Sequence, residues 1–354
     1  MLVAGTLSSS AQDRKGETMI DEHFSVTDGG MLEVNASDAD VVVTSGKALD
    51  VHVTVVLEAR DMARARAYYE RQHITAAQNG NTVRVNSDPE RYSNNWRDWR
   101  DHPHIVIQVV VPEVFNVDLR SSDGDLSLER LRGNVHMKTS DGDVSTGELE
   151  GNRVEIRTSD GDVNTRALSG KTIEIATSDG DLLLGDISAD HLVARTSDGN
   201  ISTSAVSGDA EIKTSDGDIT VTAFHGPSLH VRTSDGSIRV DRVDARTSRA
   251  HASDGQIHLK GVDGDVEAVT SSGDIHLELR KPGAIMAKTS DGDVMIDVPE
   301  GHAADVRLRG DVQMAHAGTF DGQVREDRAD GRINGGGPLI EATSSDGAVS
   351  LKMR

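Results

Sequence analysis

The chain has 354 residues, a formal net charge of -22 and no cysteine. Without cysteine, the sequence excludes disulfides, thiolate metal sites and cysteine nucleophiles, and its acidity disfavours nucleic acid and anionic membranes as direct partners. Aromatic residues make up 3% of the chain, which is too few for a large globular core and ordinary for stacked repeats. No run of 18 apolar residues occurs, so no transmembrane helix is predicted.

The first segment, residues 1–16, resembles the end of a secretory signal peptide. Residues 2–7 are apolar, and Ser9-Ser10-Ala11 fits a cleavage site made of small residues. The alternative is a disordered terminus, since no basic stretch precedes the apolar run. We expect export from the cytoplasm, followed by a globular portion that begins near residue 17.

Residues 17–116 are predicted to form a β-rich capping region. A degenerate copy of the repeat described below occurs at 37–41 as Ser-Asp-Ala-Asp-Val. The only good helical pattern covers 61–72, where Asp61 is a suitable N-cap. Strands are predicted at 51–57, 82–86 and 104–111. Because an open stack of strands leaves an exposed edge, we expect this region to cover one end.

A polar loop at 92–104 interrupts the capping region and contains three of the chain's five Trp and Tyr residues: Tyr92, Trp96 and Trp99. Aromatic rings beside Asn, Asp and Arg are typical of contacts with a partner protein or carbohydrate. The alternative is that these rings cover the apolar end of the stack. The sequence leaves both interpretations open.

Residues 117–354 contain a repeat of Thr-Ser-Asp-Gly-Asp. Its glycines recur every 18 or 19 residues, at positions 124, 142, 161, 180, 199, 217, 236, 255, 273, 292 and 310, and Gly347 follows after an irregular stretch. Aliphatic residues occupy fixed positions two and seven residues after the glycine and seven before it. Such self-similarity is typical of a protein built from stacked identical units.

Within each repeat, apolar and polar residues alternate with the period of two that defines a half-buried strand. We therefore predict an all-β, single-chain parallel β-solenoid, or β-helix, of about twelve coils. Each coil is expected to hold two short strands and two tight turns. A β-propeller is the alternative, but its blades need about 40 or more residues each.

The Asp-Gly turn is the first candidate site. Its glycine is expected at positive φ, the aspartate that precedes the glycine is expected to accept hydrogen bonds from turn N–H groups, and the threonines are expected to point inward. Stacking also aligns the carboxylates in two columns, whose oxygens could bind calcium. The metal candidates are Asp123, Asp125, Asp141, Asp143, Asp160, Asp162, Asp179, Asp181, Asp216 and Asp218.

The repeated Ser-Asp-Gly-Asp-Val coils resemble the bacterial putative-adhesin β-solenoid family, a domain of unknown function. The resemblance covers roughly residues 20–354 and includes strand pairs around 32–57 and 106–117. It implies an exported or envelope-associated bacterial protein with a role in adhesion or envelope sensing. The family supplies no catalytic residues to transfer to this chain.

The sequence therefore predicts a non-enzymatic adhesin-like binding or scaffold protein with a repetitive acidic surface. Its expected location is secreted, periplasmic or on the cell surface, and its expected partner is a protein or glycan of the cell envelope or extracellular matrix. No cofactor is required, although calcium is possible. The alternatives are a calcium-dependent structural module and a glycan-active enzyme, but the 14 histidines are scattered and no nucleophile or phosphate-loop motif occurs.

Overall fold

A computed structural model describes residues 15–89, 103–315 and 319–354. The chain forms two compact units, residues 1–150 (unit 1) and 151–354 (unit 2). About two-thirds of the described residues form β-strands in mostly parallel pairs, and there is one helix, which confirms the predicted all-β class and is consistent with a solenoid. The predicted division of the chain after residue 116 stays a prediction.

Unit 1 contains eleven strands and one helix. They are β1 (Lys15–Ser25), β2 (Met31–Asn35), β3 (Asp40–Gly46), β4 (Asp50–Ala59), α1 (Met62–Gln72), β5 (Thr75–Asn79), β6 (Thr82–Asn86), β7 (His104–Pro112), β8 (Asn116–Arg120), β9 (Leu126–Arg132), β10 (Val135–Lys138) and the start of β11 (Val144–Arg157). The strands predicted within 51–57, 82–86 and 104–111 are thus present as β4, β6 and β7.

The strands of unit 1 form two stacks. One runs β5, β6, β2, β8 and β10, with only β5 antiparallel to its neighbour. The other runs β1, β4, β7, β3, β9 and β11, where β1–β4 and β4–β7 are antiparallel and the remaining pairs are parallel. The coil β2–β3 therefore lies between β6–β7 and β8–β9, although it precedes both in the sequence.

Helix α1 packs on the antiparallel side of unit 1, where it contacts β4. Asp61 is its N-cap, as predicted, and the Asp61 side chain accepts a hydrogen bond from the Arg64 backbone N–H at 3.3 Å. Ala65 is buried on one face of the helix, and the Tyr68 hydroxyl donates to Asp38 Oδ2 at 2.7 Å. The helix is thereby tied to the degenerate turn at 37–41.

Unit 2 continues with fourteen further strands. They are β12 (Val163–Ala176), β13 (Leu182–Arg195), β14 (Ile201–Lys213), β15 (Ile219–Arg232), β16 (Ile238–Val240), β17 (Val243–His251), β18 (Ile257–Val269), β19 (Ile275–Leu279), β20 (Ile285–Thr289), β21 (Val294–Val298), β22 (Ala304–Ala315), β23 (Phe320–Val324), β24 (Arg328–Ile333) and β25 (Leu339–Met353). Within the described part of the unit, only the β22–β24 and β23–β24 pairs are antiparallel.

The coils of unit 2 differ from the predicted two strands and two turns. Strands β12 to β15 each run unbroken for 13 or 14 residues, so that only the Asp-Gly turn separates one coil from the next. The looser second turn remains within the ladder, because its residues still pair with the next coil, as Gly170 does with Ala189. Parallel pairing thus continues around the corner of the coil.

The predicted aliphatic columns are present in unit 2 with one correction. Ile173 pairs with Leu192, and this column continues through Leu229 to Ile285. Beyond Ile285 the strands no longer stack in the order of the sequence, because β25 lies between β20–β21 and β22. The column accordingly ends on Ile340 and Val306 instead of Ala303, and Gly347 lies between Gly292 and Gly310. The ladder members are: Ile173, Leu192, Ala210, Leu229, Ser248, Val266, Ile285, Ile340 and Val306.

The core of unit 2 is built from small aliphatic side chains and a ladder of buried threonines. Thr177, for example, places its Oγ1 3.0 and 3.1 Å from the carbonyl oxygens of Ser159 and Gly161, and accepts from the Gly180 N–H at 3.3 Å. The buried members are Thr158, Thr177, Thr196, Thr214, Thr233, Thr270 and Thr289. The predicted inward threonine is confirmed at these positions, because its hydroxyl satisfies the turn backbone.

The turn glycines are required for a different reason from the one predicted. Positive φ occurs at glycines of other turns, such as Gly133 and Gly208, but not at Gly142 or Gly180. A Cβ atom on Gly180 would instead lie 2.0 Å from the carbonyl oxygen of Gly161. Each coil approaches the previous turn so closely that only glycine fits.

Candidate functional site

The Asp-Gly turns align along one edge of each unit, and all ten predicted aspartates are exposed there. Backbone bonds fix this alignment: the N–H groups of Ser178 and Asp179 both donate to the Ser159 carbonyl at 2.9 Å. The first aspartate of each turn, which precedes the glycine, and the second, which follows it, have different surroundings.

The second aspartate has a structural role. Asp162 Oδ1 accepts a hydrogen bond from the Asp181 backbone N–H at 2.8 Å, and Asp181 Oδ1 accepts from Asn200 N–H at 2.7 Å. Asn200 serves equally well, since its Oδ1 accepts from Asp218 N–H at 2.9 Å. An acceptor oxygen, not a charge, is therefore what this position needs, which explains the Asn in the column.

The prediction that the first aspartate accepts turn hydrogen bonds is wrong for the described residues of unit 2, because the second aspartate takes that role. Across the described residues, no side-chain hydrogen bond or ion pair involves these carboxylates, which belong to Asp160, Asp179, Asp198, Asp216, Asp235 and Asp254. In unit 1, partial burial together with the charges of Asp38 and Asp141 raises the pKa of Asp123. The first column is thus a line of like charges that the protein itself does not neutralise.

The outer faces of the coils in unit 2 differ from this edge, because several of their charges are paired between neighbouring coils. Arg157 Nη2 lies 2.7 Å from Glu174 Oε1, and Arg195 Nη2 lies 2.8 Å from Glu211 Oε1. Both pairs join neighbouring coils and are half-exposed. The first aspartates of the Asp-Gly edge lack such partners among the described residues and form a regular series of exposed charges, and we call this edge the acidic edge.

Calcium binding by the aspartate columns stays a prediction. Two groups of three side chains bring possible ligand atoms within 4.8 Å of one another among the described residues, and neither contains a column aspartate: Asp21 with His23 and His52, and His258 with His276 and Glu278. Sequence reasoning missed the second group by treating the histidines as scattered. The available signal was that His258 and His276 each directly follow the aliphatic residue two positions after a turn glycine.

The predicted aromatic contact residues Tyr92, Trp96 and Trp99 lie outside the described residues. Their proposed role in partner binding stays a prediction. In the described part of the chain, no helix is both long and apolar enough to cross a membrane.

The stacked parallel coils place the chain among all-β repeat proteins, and the sequence assigns it to a family. The chain belongs to the Toastrack DUF4097 family, which matches residues 31–206 and 190–352. This confirms the predicted resemblance to a domain of unknown function, whereas the link between that family and the Ser-Asp-Gly-Asp-Val repeat stays a prediction. The comparison with curated proteins found no match.

Three crystal structures are similar to the chain, each over 80% of its length. They are a putative adhesin from Parabacteroides merdae (11% identity, TM-score 0.38, 96% of that chain covered), a putative lipid binding protein from Parabacteroides distasonis (14%, 0.32, 94%) and a putative adhesin from Bacteroides fragilis (12%, 0.30, 97%).

Proposed function

We propose that this protein is a non-enzymatic, extracytoplasmic, adhesin-like binding or scaffold protein. Its acidic edge binds a protein or glycan of the cell envelope or extracellular matrix, and nucleic acid is not a partner. The observation that carries the proposal is the column of exposed first aspartates in unit 2, none of which has a side-chain partner among the described residues. Membership of a family that is not an enzyme family supports a binding role.

The column suits repeated, low-specificity contacts. Neighbouring parallel strands lie about 4.8 Å apart, so the carboxylates form a regular series that a basic protein segment or a hydroxyl-rich glycan can follow. Each exposed contact contributes little, since surface ion pairs are worth about 0–1 kcal/mol. Useful affinity therefore comes from several contacts made at once.

The test uses a variant in which five first-column aspartates of unit 2 become asparagine: Asp160, Asp179, Asp198, Asp216 and Asp235. The control removes five exposed acids of the same unit that lie outside the column, by converting Asp186, Asp190, Asp321, Glu300 and Glu326 to amides. Both variants lose the same charge. Ser272 already occupies the first position of a turn and keeps the backbone bond to the Ser253 carbonyl, so the fold tolerates a neutral polar side chain there.

Binding is measured against bacterial envelope fractions, matrix proteins and a glycan array. We expect the column variant to bind at least about tenfold more weakly and the control to stay within about twofold of the parent. Equal binding by all three proteins, or equal loss in both variants, contradicts the proposal. Turnover of polysaccharide by the parent protein would favour the glycan-active enzyme instead.

The second candidate is a calcium-dependent structural module. Partial burial, and after it the charges of neighbouring carboxylates, raise the pKa of Asp123 and of Asp125 in unit 1. A bound cation relieves the repulsion between these carboxylates, which favours this candidate. Calorimetric titration with calcium and thermal melting with and without a chelator test it. Heat of binding and a higher melting temperature are expected if the module binds calcium, and the absence of both rejects this candidate.

A further inference from the structure

We propose that His258, His276 and Glu278 bind one divalent transition-metal ion of the zinc type on the outer surface of β18 and β19. The inference concerns unit 2 alone and does not depend on the proposed function, so either can fail without the other. Two imidazoles and a carboxylate form a donor set that zinc uses in proteins.

The sheet places the two imidazoles side by side. His258 and His276 are direct partners in the parallel register of β18 and β19. Their neighbours Ile257, Leu259 and Ile275 are buried, so both histidines point away from the core. The rings stack with their centroids 4.6 Å apart and their planes 16° apart. Because both residues lie on a paired sheet, the separation of their backbones is fixed before any ion arrives.

The distances fit a single ion. Glu278 Oε1 lies 3.6 Å from His258 Nε2 and 3.9 Å from His276 Nε2. Metal–ligand bonds of about 2.1 Å in a tetrahedron place two ligand atoms about 3.4 Å apart. The ligand atoms of all three side chains lie within 4.8 Å of one another. Rotations of these half-exposed side chains that shorten the longest separation by up to about 1.4 Å bring all three atoms onto one ion.

Unsatisfied polar atoms are a second, independent observation. His258 Nε2 is buried and has no hydrogen-bond partner in the described structure, and the same is true of Asp297 Oδ1. The Asp297 side chain is only 4% exposed, and its Oδ2 lies 2.9 Å from His276 Nε2 and 2.8 Å from Arg354 Nη2. Burying such atoms without partners is unfavourable. An ion here gives His258 Nε2 a partner and places a second carboxylate next to the positive charge.

Two neighbouring cations oppose metal binding, and their contacts predict which one should be removed to increase the affinity for zinc. Lys260 Nζ lies 3.8 Å from Glu278 Oε1 and competes for that carboxylate. Arg239 Nη1 lies 3.4 Å from His258 Nδ1, which must carry the proton when Nε2 binds a metal. Arg239 keeps a partner when the metal binds, since its Nη2 lies 2.7 Å from Asp241 Oδ1. Lys260, in contrast, must give up its contact with Glu278. Removing Lys260 should therefore tighten the site.

The group in unit 1 is a weaker candidate. His23 Nδ1 is already 2.9 Å from Asp50 Oδ2, and His52 Nε2 is 2.6 Å from Asp21 Oδ1. Asp21 and His23 are also exposed, so water competes with two of the three ligands. Neither an unpartnered buried atom nor a rigid pocket favours an ion at this place.

The experiment is calorimetric titration of the chelator-treated full chain with zinc chloride, alongside the H258Q, H276Q, E278Q and K260M variants. The matched control is His225→Gln, which removes an exposed histidine that pairs with Asp244 on the same unit. Circular dichroism establishes that each variant is folded. Cobalt substitution provides a second readout, since its visible absorption reports tetrahedral coordination.

We expect one high-affinity zinc ion per chain. Affinity should fall at least about tenfold in H258Q, H276Q and E278Q, rise in K260M and stay unchanged in H225Q. E278Q retains the stacked imidazoles, so it decides the question if a histidine variant fails to fold. The proposal is wrong if the parent binds no zinc, or if its tightest site survives in E278Q and H258Q.

Discussion

In each unit, strands distant in sequence are inserted between two neighbouring coils: β2–β3 in unit 1 and β25 in unit 2. The two units differ in how fully their outermost parallel strand is covered. In unit 1 the outer parallel strand β7 is followed by β4 and then β1, and its inward residues Ile107 and Val109 are fully buried. In unit 2 the outer strand β22 pairs with β24 only from Ala304 to Arg309. Beyond that point Val312 and Met314 are half-buried.

This difference shows that an aliphatic residue in the correct register does not guarantee a core. Val312 pairs with Val349 as regularly as Val109 pairs with Val43. What differs is the cover on the far side, which in unit 1 consists of two antiparallel strands and α1. The following predictions test this contrast and the features that the two units share.

The largest effect is expected where the units are alike, at the turn glycines. Gly142→Ala in unit 1 and Gly180→Ala in unit 2 each place a Cβ about 2 Å from a backbone carbonyl, and should destabilise their unit by at least about 3 kcal/mol. Urea unfolding measures the loss. Gly301→Ala is the control: no atom lies within 4 Å of its Cβ, and its φ of +76° alone should cost about 1 kcal/mol. Equal losses at Gly180 and Gly301 would contradict the packing argument.

The cover itself is tested by a matched pair of valines. Val109→Ala removes buried methyl groups from β7 and should cost about 2 kcal/mol. Val312→Ala on the half-covered part of β22 should cost less than about 1 kcal/mol, because its side chain already contacts water. Thermal and urea unfolding compare the two, and a Val312 loss as large as that of Val109 would remove the distinction between the units.

Unit 2 is expected to weaken in acid through Asp263. Arg280 and Lys281 bond to this buried carboxylate, with Lys281 Nζ 2.7 Å from Oδ2, and the Arg280 hydrogen bonds are the main cause that lowers the pKa of Asp263 to about 2. Its stabilisation is therefore present above about pH 4 and is lost as pH falls toward 2. Asp263→Asn should cost about 2 kcal/mol at neutral pH.

The measurement is urea unfolding across that pH range. The difference between the parent and Asp263→Asn should shrink as the parent carboxyl becomes protonated. Asp235→Asn, at an exposed position without a partner among the described residues, should show no such difference. If the difference in unfolding free energy stays constant down to about pH 2, the ion pair is not the cause of that difference.

In unit 1 the dependence of stability on pH should be smaller and opposite in direction, with stability falling as the pH rises. His104 Nε2 lies 2.6 Å from Asp40 Oδ2, and this bond raises the pKa of His104. The resulting stabilisation is present below about pH 6.5 and is lost as pH rises through the higher folded pKa. Because the ring is more than one-third exposed, His104→Gln should cost only about 0.5 kcal/mol in mild acid.

Melting curves at about pH 5.5 and about pH 9 measure this difference, which should vanish in the alkaline sample. His73→Gln, at the C-cap of α1, controls for loss of a histidine without the Asp40 contact. A cost for His104→Gln that persists at alkaline pH would assign the residue a packing role instead of a charge role.

Most of the repeat could be predicted because each coil obeys local rules. Period-two alternation identifies the strands, and the 18- or 19-residue spacing identifies which residues stack. The N-cap at Asp61 and the inward threonines follow from equally local chemistry. The function of the turn glycine was not predictable in this way, since the contact of Gly180 with Gly161 exists only between coils.

The order of the coils at the two ends could not be predicted either. A repeat pattern specifies that residues such as Ile285, Ile340 and Val306 belong to one column, but not which of them are neighbours. The candidate metal ligands were missed for a related reason. His258 and His276 look unrelated along the chain and become partners only through the register of β18 and β19.

The insertion of terminal coils has a consequence for synthesis on the ribosome. In unit 1, β2 and β3 are made early and have unpaired edges until β8 and β9 follow. In unit 2, β20, β21 and β22 all wait for β25, the final strand of the unit to be translated. Exposed strand edges invite pairing with other chains. The nascent chain is therefore most vulnerable while β2 and β3 wait for β8 and β9, and again until β25 emerges.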